Sequence, residues 1–370
     1  MKSIMTNQHP AHMNTHFTLD PGKPEWIHEP AHDHRQPDGI EIFSTCCTSK
    51  DTAPETYLRQ VVDVARWSED AGMQGILVYS DNGIVDPWIV SQAILEHTEQ
   101  ICPLVAIQPA YMHPYTVAKM ITSLAFLYQR KVCLNMIAGG FRNDLLALDD
   151  TTPHDERYDR LVEYTQIIQG LFKTTGGITY EGKYYRVRNL KLTPSLPSQL
   201  QPQFMMSGSS PAGLQAATAT GVTAIKYPKP AANEVSASPL DLNNTGIRVG
   251  IIARQTKGEA WKVAKERFPE DRKGQLTNQL AMKTSDSHWH HQLSRQKERP
   301  AGSTSPYWMR PFHTYKTFCP YLVGSYAEVA REISDYVSVG HRTFILDIPP
   351  CQQELGHINS VFEQISTPSK

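Results

Sequence analysis

Eight short apolar segments, each followed by a helix-like stretch, recur between residues 40 and 348. They are residues 40–46, 75–80, 103–108, 131–138, 203–208, 222–227, 247–254 and 342–348. Continuous apolar runs of this length are typical of strands that are covered on both faces. Eight strands alternating with helices form the pattern of a (β/α)8 barrel. We therefore predict an α/β fold, a TIM barrel with insertions, and a doubly wound sheet is the alternative.

Three stretches do not follow this repeat. Residues 1–36 are polar and rich in His and Pro, which predicts a mobile N-terminal arm before a barrel domain of residues 37–370. Residues 174–202 have the pattern of a β-hairpin insert. Residues 269–323 are polar and weakly periodic, and a loop of that length in a compact domain is either functional or disordered. We predict that this second insert is a lid over the strand ends.

Composition excludes several classes of function. The formal net charge is −1 over 370 residues, which indicates neither a nucleic-acid nor a membrane surface. No apolar run reaches the roughly 18 residues of a membrane helix, and the first residues lack a signal-peptide core, so we expect a cytoplasmic protein. Six cysteines without a CxxC pair fit a reducing compartment. Histidines 28, 32 and 34 and histidines 288, 290 and 291 lack a fixed ligand geometry, and we predict no metal site.

The carboxyl ends of the strands are where a barrel of this kind carries its active site. Two features near these ends favour anion binding. His154 and Tyr158 lie on one face of a predicted first helical turn, which we expect to begin with Thr152 as N-cap and Asp155 in a capping box. The segment SGSSPAG, residues 207–213, is a Gly/Ser turn that enters a helix and presents backbone N–H groups.

These two features belong to neighbouring barrel units, so they can converge on one phosphate. Each alone is also compatible with an ordinary helix start. We find no Ser/His/Asp order, no Walker motif and no paired catalytic carboxylates in the chain. A barrel with a phosphate site and few acid–base groups indicates that a cofactor carries the reaction.

The motifs LVYSDN, HPY, NMIAGG, HDERY and SGSSPAG occur in this order along the chain. Together they resemble the bacterial luciferase-like flavin monooxygenases, nearest the alkanesulfonate monooxygenase branch. The resemblance extends from about residue 38 to about residue 366.

The resemblance implies a two-component system, in which a separate flavin reductase supplies reduced FMN as a transient partner. Oxygen then adds to the flavin, and a flavin peroxide oxidises a small to medium organic substrate. It also implies a homodimer or homotetramer. By motif, the FMN phosphate contacts are His154, Tyr158, Ser209 and Ser210. Asp81 and Asn135 fall where the family places groups near the isoalloxazine ring.

The chain departs from the alkanesulfonate branch at three polar positions. A cysteine becomes Ile84, a histidine becomes Gly250 and a tyrosine becomes Pro349. Arg248 is the one ionic active-site group carried over, and we predict that it is catalytic. A sulfonate site therefore looks incomplete, which predicts a larger and less polar substrate with at most one anionic group.

Three residues are predicted to contact the substrate. They are Cys46 at the end of the first strand, Ile84, and Lys316 beside Tyr315, which aligns with a mobile arginine of the branch. Two other functions stay open from the sequence. The first is a deazaflavin-dependent dehydrogenase on the same scaffold, and the second is a flavin-binding protein without catalysis.

Overall fold

The computed structural model describes residues 39–50, 52–234, 245–284 and 305–365. In chain order the elements are β1 (Glu41–Thr45), α1 (Pro54–Asp70), β2 (Gly75–Val78), α2 (Pro87–His97), β3 (Cys102–Ile107), α3 (Pro114–Tyr128), β4 (Cys133–Met136), α4 (Arg142–Ala147), α5 (His154–Lys173), β5 (Ile178–Glu181), β6 (Arg186–Leu190), a 3-10 turn (Ser198–Leu200), β7 (Phe204–Ser207), α6 (Pro211–Thr220), β8 (Thr223–Lys226), α7 (Ala231–Glu234), β9 (Thr245–Arg254), α8 (Lys257–Arg267), α9 (Arg272–Thr284), β10 (Tyr307–Trp308), α10 (Arg310–His313), β11 (Tyr321–Ser325), α11 (Tyr326–Ser338), β12 (His341–Leu346) and α12 (Gln352–Phe362).

Eight of these strands form a closed parallel barrel. The order is β12-β1-β2-β3-β4-β7-β8, and β9 pairs with both β8 and β12 to close the ring. Every pairing within this ring is parallel. The predicted (β/α)8 barrel is confirmed, and each of its eight strands corresponds to one of the apolar runs.

The barrel interior is apolar in its lower part and polar near the carboxyl ends of the strands. One buried cluster takes residues from seven barrel strands, which places it inside the ring: Phe43, Leu77, Leu104, Cys133, Met205, Ile225 and Ile345. Side chains alternate along a strand, so the residue two positions later also points inward. At four of these strands that residue is Tyr79, Asn135, Ser207 or Tyr227, and each of them lines a cavity at the top of the barrel.

Several helices begin with proline after a capping residue. Asp86 accepts a hydrogen bond from the Trp88 backbone N–H, and Pro87 follows it as the first residue of α2. Ser210 and Pro211 begin α6 in the same way. Proline suits this position because its missing N–H would be unpaired there. These sharp helix starts give defined backbone geometry at the cavity end of the barrel.

The second insert contains more regular structure than we predicted. Within residues 269–323 the structure describes the helices α9 and α10 and the strands β10 and β11. The upper half of β9, residues 250–254, leaves the barrel and pairs in parallel with β11. The expectation of little periodic structure is wrong here, because β11 is a five-residue strand that ends at the cap of α11 and leaves only a short apolar signal.

The first insert contains an antiparallel pair, β5 and β6, outside the barrel. The predicted N-terminal arm and both histidine groups lie outside the described residues, so these predictions stay as they were. No helix among the described residues is long and apolar enough to cross a membrane.

Candidate functional site

A cavity of about 430 Å³ opens at the carboxyl ends of the barrel strands. Of the predicted site residues, eight line it: Asp81, Ile84, Asn135, His154, Tyr158, Ser209, Ser210 and Arg248. The cavity therefore brings together residues that are far apart in the sequence, as expected for a barrel whose site lies at one end.

One end of the cavity is built around the start of α6, and we call it the phosphate end, comprising His154, Tyr158, Gly208, Ser209 and Ser210. The Ser210 hydroxyl oxygen accepts a hydrogen bond of 3.1 Å from the Gly213 backbone N–H. The Ser209 hydroxyl oxygen accepts one of 3.2 Å from the Tyr227 backbone N–H. Because the Ser209 oxygen acts as an acceptor in this bond, its O–H remains able to donate to a ligand.

Glycine is required at this end because the ring of Tyr158 lies against the backbone. A Cβ atom at Gly208 would lie 2.5 Å from the Tyr158 hydroxyl oxygen, and one at Gly213 would lie 3.1 Å from its ring. Burial raises the pKa of Tyr158, and a hydrogen bond with Ser210 acts in the opposite direction without cancelling this rise. The phenol therefore keeps its proton and can donate it in a hydrogen bond to an anion.

Helix α5 begins one residue later than we predicted. Its N-cap is Pro153 in an extended conformation, with no side-chain capping bond, so the predicted capping box with Thr152 is wrong. The reason is that Asp155 bonds to the His154 ring nitrogen Nδ1 at 2.7 Å instead of reaching back to the backbone. His154 and Tyr158 still face each other, with ring centroids 5.3 Å apart.

The loop that precedes α5 is fixed by an ion pair. Asp150 accepts a 2.6 Å hydrogen bond from Arg160 and a 3.1 Å bond from the Thr152 backbone N–H. Burial acts to raise the pKa of Asp150, but these bonds outweigh it and leave that pKa below its usual value. The carboxylate is therefore charged at neutral pH and anchors the start of α5.

The middle of the cavity is polar. Ser207 donates a 2.8 Å hydrogen bond to the Asn135 side-chain oxygen, which leaves the Asn135 amide N–H groups as donors. Gly139, with a φ of +94°, follows β4, and a Cβ atom there would lie 3.0 Å from the Gln108 side-chain oxygen. The backbone after β4 can therefore approach a flat ligand closely, as only glycine allows.

Two carboxylates lie at the mouth of the cavity. Asp81 accepts a 2.7 Å hydrogen bond from the Gly83 backbone N–H. Burial and the negative charge of Asp81 raise the pKa of Asp144. Lys50, which also lines the cavity, acts in the opposite direction on Asp144.

Another part of the cavity carries Arg248, and we call it the arginine end. Arg248 is only 5% exposed, and its guanidinium lies 4.7 Å above the ring of Tyr79. Its Nη2 atom is 3.9 Å from Asp347 Oδ1, which is longer than a hydrogen bond. Within the described part of the chain, neither Nε nor Nη2 of Arg248 has a hydrogen-bond partner.

An aromatic wall, which the sequence analysis did not identify, covers this end. The Phe318 ring lies 6.4 Å from that of Tyr79, 6.5 Å from that of Phe141 and 5.9 Å from that of Tyr315. All four residues line the cavity. Tyr79 could have been found from the sequence, since it is two residues after the inward-facing Leu77. Phe141 and Phe318 lie on loops, and strand alternation does not predict them.

Two of the predicted substrate contacts do not lie at the cavity. Cys46 is 1% exposed and packs in the cluster with Ile42, on the side of β1 that the helices cover. Lys316 pairs with Asp271 at 2.8 Å, whereas its neighbour Tyr315 lines the cavity. The φ of +58° at Tyr315 turns the chain at this point.

The residues present fit a flavin mononucleotide. The phosphate end offers hydroxyl donors and a helix N-terminus for a phosphate. The glycines after β4 leave room for a flat ring system, and Asn135 offers polar atoms next to it. Among the described residues, no group of three or more His, Cys, Asp or Glu side chains has the arrangement of a metal site.

A barrel with this cavity defines a class of cofactor-dependent enzymes, and the comparison with known proteins identifies the family. The profile of the luciferase-like monooxygenase family (Bac_luciferase) matches residues 40–343. The chain belongs to this family and is a flavin-dependent monooxygenase.

A curated relative supports the assignment. The 4-(gamma-L-glutamylamino)butanoyl-[BtrI acyl-carrier protein] monooxygenase BtrO of Niallia circulans is 33% identical over 321 residues, which is 84% of this chain and 93% of that protein. The alkanesulfonate branch within the family stays a prediction.

Solved structures share the fold at low sequence identity. The oxygenating constituent of 3,6-diketocamphane monooxygenase from Pseudomonas putida, in complex with FMN, has a TM-score of 0.63 at 16% identity, covering 89% of this chain and 99% of that chain. An F420-dependent secondary alcohol dehydrogenase has a TM-score of 0.60 at 13% identity, covering 89% of this chain and 99% of that chain.

Proposed function

We propose that this protein is the oxygenase of a two-component system, which uses reduced FMN from a separate reductase and molecular oxygen to oxidise an organic substrate. The observation that carries the proposal is the phosphate end of the cavity. There Tyr158 and Ser210 meet at the start of α6, next to glycines at which a side chain would collide with the Tyr158 ring, and His154 faces Tyr158. Bound reduced flavin supplies the activation of oxygen.

The residues of the chain divide the remaining work. Tyr158, Ser209, Ser210 and the N–H groups of α6 bind the phosphate, and His154 adds an imidazole donor. Asn135, fixed by Ser207, orients the ring system through its amide group. Asp81 also lines the cavity and is the second polar group that we assign to the cofactor.

The aromatic wall excludes water from the arginine end. Phe318 packs edge-on against the rings of Tyr79, Phe141 and Tyr315, so that aromatic surface lines the cavity there. Exclusion of water strengthens electrostatic interactions inside a site and suppresses side reactions. We assign the apolar body of the substrate to this wall and to Ile84.

Arg248 selects a substrate with one anionic group. A buried guanidinium without a hydrogen bond is costly, and a carboxylate would supply the missing acceptors. The relative BtrO is named for an acyl chain on a carrier protein, so we infer that the substrate is a carboxylic acid or an acyl derivative. A substrate screen should therefore pair each free acid with its pantetheine thioester.

The cofactor assignment is tested by comparing FMN with riboflavin. We expect FMN to bind at least tenfold more tightly, because each charge-assisted hydrogen bond to the phosphate contributes about 1.5–3 kcal/mol. Fluorescence titration of the purified protein with both flavins measures the difference. Equal affinities would refute a phosphate site at the start of α6.

The need for oxygen separates this function from a deazaflavin-dependent dehydrogenase, which uses the same scaffold. We expect product only when a flavin reductase, NADH, FMN and air are all present. Turnover under nitrogen with a reduced or oxidised deazaflavin would instead support the dehydrogenase.

A further inference from the structure

Tyr321 lies outside the barrel but packs onto the strand that carries Arg248. A Cβ atom at Gly250 would lie 2.3 Å from two atoms of the Tyr321 ring. Residues 248 and 250 point to the same side of β9, because side chains alternate along a strand. The ring of Tyr321 therefore occupies the space next to Arg248 that a side chain at position 250 would fill.

The hydroxyl of Tyr321 binds the carboxylate that faces Arg248. It donates a hydrogen bond of 2.8 Å to Asp347 Oδ2. Burial, and then the nearby negative charge of Asp347, raise the pKa of Tyr321 well above its ordinary value. The hydroxyl therefore keeps its proton and acts as the donor at any physiological pH.

The other oxygen of Asp347 does not reach Arg248. The distance from Asp347 Oδ1 to Arg248 Nη2 is 3.9 Å, and both side chains are largely buried, at 11% and 6% exposure. Charged groups in such surroundings normally close to about 2.7–2.9 Å. The pair is open while Asp347 is bonded to Tyr321.

We infer that Tyr321 is a positioning residue, which binds Asp347 and so keeps Arg248 available for the anionic group of the substrate. The inference rests on the proposed function and names the residue that controls its anion site. Without the Tyr321 hydroxyl, Asp347 is free to move the short distance to Arg248. The guanidinium would then be neutralised by the protein itself and would bind an external anion weakly.

Binding of a simple carboxylate tests this without knowledge of the substrate. The probe is hexanoate, with hexan-1-ol as its uncharged match, titrated calorimetrically into the FMN-loaded protein. We expect Tyr321→Phe to weaken hexanoate at least tenfold and to leave hexan-1-ol and FMN within twofold of the parent. Tyr307→Phe is the matched control, since it too removes a buried tyrosine hydroxyl, but one that donates to the Pro228 backbone carbonyl oxygen at 2.9 Å and not to Asp347.

The Asp347→Asn background distinguishes positioning from packing. If Tyr321 acts through Asp347, then Tyr321→Phe should change hexanoate affinity by less than twofold once Asp347 is Asn. An equal loss in both backgrounds would overturn the inference, because the hydroxyl would then act on the fold and not on the carboxylate.

Arg248→Met separates failure of the anion site from failure of the flavin assignment. We expect it to abolish the preference for hexanoate over hexan-1-ol. A parent protein without that preference, or a variant that keeps it, would refute the role of Tyr321. The FMN titration of the same samples reports separately on the cofactor, so the proposed function can survive that result.

Discussion

The two ends of the cavity are built in opposite ways. At the phosphate end, Ser209 and Ser210 accept backbone hydrogen bonds, and Tyr158 fits against two glycines. At the arginine end, Arg248 is buried with two nitrogens that lack a partner in the described chain, and its nearest carboxylate is 3.9 Å away. The polar groups of the phosphate end have hydrogen-bond partners before a ligand binds, whereas two nitrogens of Arg248 at the arginine end do not.

This difference indicates how the two ligands are selected. A preformed site loses little conformational freedom on binding, which suits the cofactor of the proposed two-component system, where reduced FMN would be taken up in every cycle. A buried cation without hydrogen-bond partners binds an anionic ligand more tightly than a neutral one, because the anion supplies the missing acceptors. We therefore expect binding specificity for the substrate to be concentrated at the arginine end.

The largest effect should come from filling the space that Tyr158 occupies. Gly208→Val would force the ring away from α6 and displace the donors of the phosphate end. Loss of two charge-assisted hydrogen bonds of about 1.5–3 kcal/mol each predicts a drop in FMN affinity of about 100-fold or more. Fluorescence titration measures it, and Gly258→Ala, at a helix position with open space, should match the parent.

If Gly208→Val binds FMN as the parent does, the phosphate does not lie at the start of α6. The phosphate end would then not be a preformed phosphate site. Hexanoate binding should persist in this variant, because the arginine end is built from other strands.

The second effect concerns stability and has the opposite sign at the two ends. We expect the double variant Arg248→Met/Asp347→Asn to be more stable than the parent by about 1–4 kcal/mol, since it removes the desolvation cost of two buried and poorly paired charges and keeps an acceptor for the Tyr321 hydroxyl. Ser210→Ala should instead cost about 0.5–2 kcal/mol, because it removes an N-cap. Chemical denaturation of the apo-protein measures both. A destabilised double variant would mean that the arginine end is satisfied after all.

The barrel was predictable because each strand is buried on both faces, and its sequence is therefore one continuous apolar run. The strand β11 was not predicted, since it lies outside the ring and is five residues long. That the residues of the phosphate end lie together was also predicted, and their contact with a phosphate stays a prediction. Its residues follow helix starts on consecutive barrel units, so that motif and topology both place them together.

The arginine end depends on contacts that sequence proximity does not reveal. Gly250 could be recognised as a missing polar group, but only the structure places the Tyr321 ring in its space. The position of Cys46 could have been read from alternation, since Phe43 faces inward and Cys46 has the parity of Ile42. The position of Lys316 could not be predicted from alternation, because it follows Tyr315, which has a left-handed backbone conformation.

A third and smaller effect tests the hydroxyl groups alone. The double variant Tyr158→Phe/Ser210→Ala keeps the ring and the N–H groups of α6 but removes two hydroxyls. We expect FMN affinity to fall more than tenfold and riboflavin affinity to change less than twofold, because only FMN carries the phosphate. A similar loss for both flavins would mean that the hydroxyls contact another part of the cofactor.

The smallest effect concerns the ion pair between Asp150 and Arg160, which fixes the loop before α5. Asp150→Asn breaks the ion pair with Arg160 but keeps an acceptor for the Thr152 N–H. Because only the charge is lost, FMN affinity at pH 7 should fall only about two- to fivefold. The pKa of Asp150 is lowered in the folded protein, so its contribution is complete above the usual carboxyl value of about 3.9 and disappears as pH falls through the lower folded pKa. The ratio of parent to variant affinity should therefore be the same at pH 7 and pH 5. Titrations at the two pH values measure this ratio, and a ratio that collapses between them would show that a different titrating group, and not the Asp150–Arg160 pair, supports the start of α5.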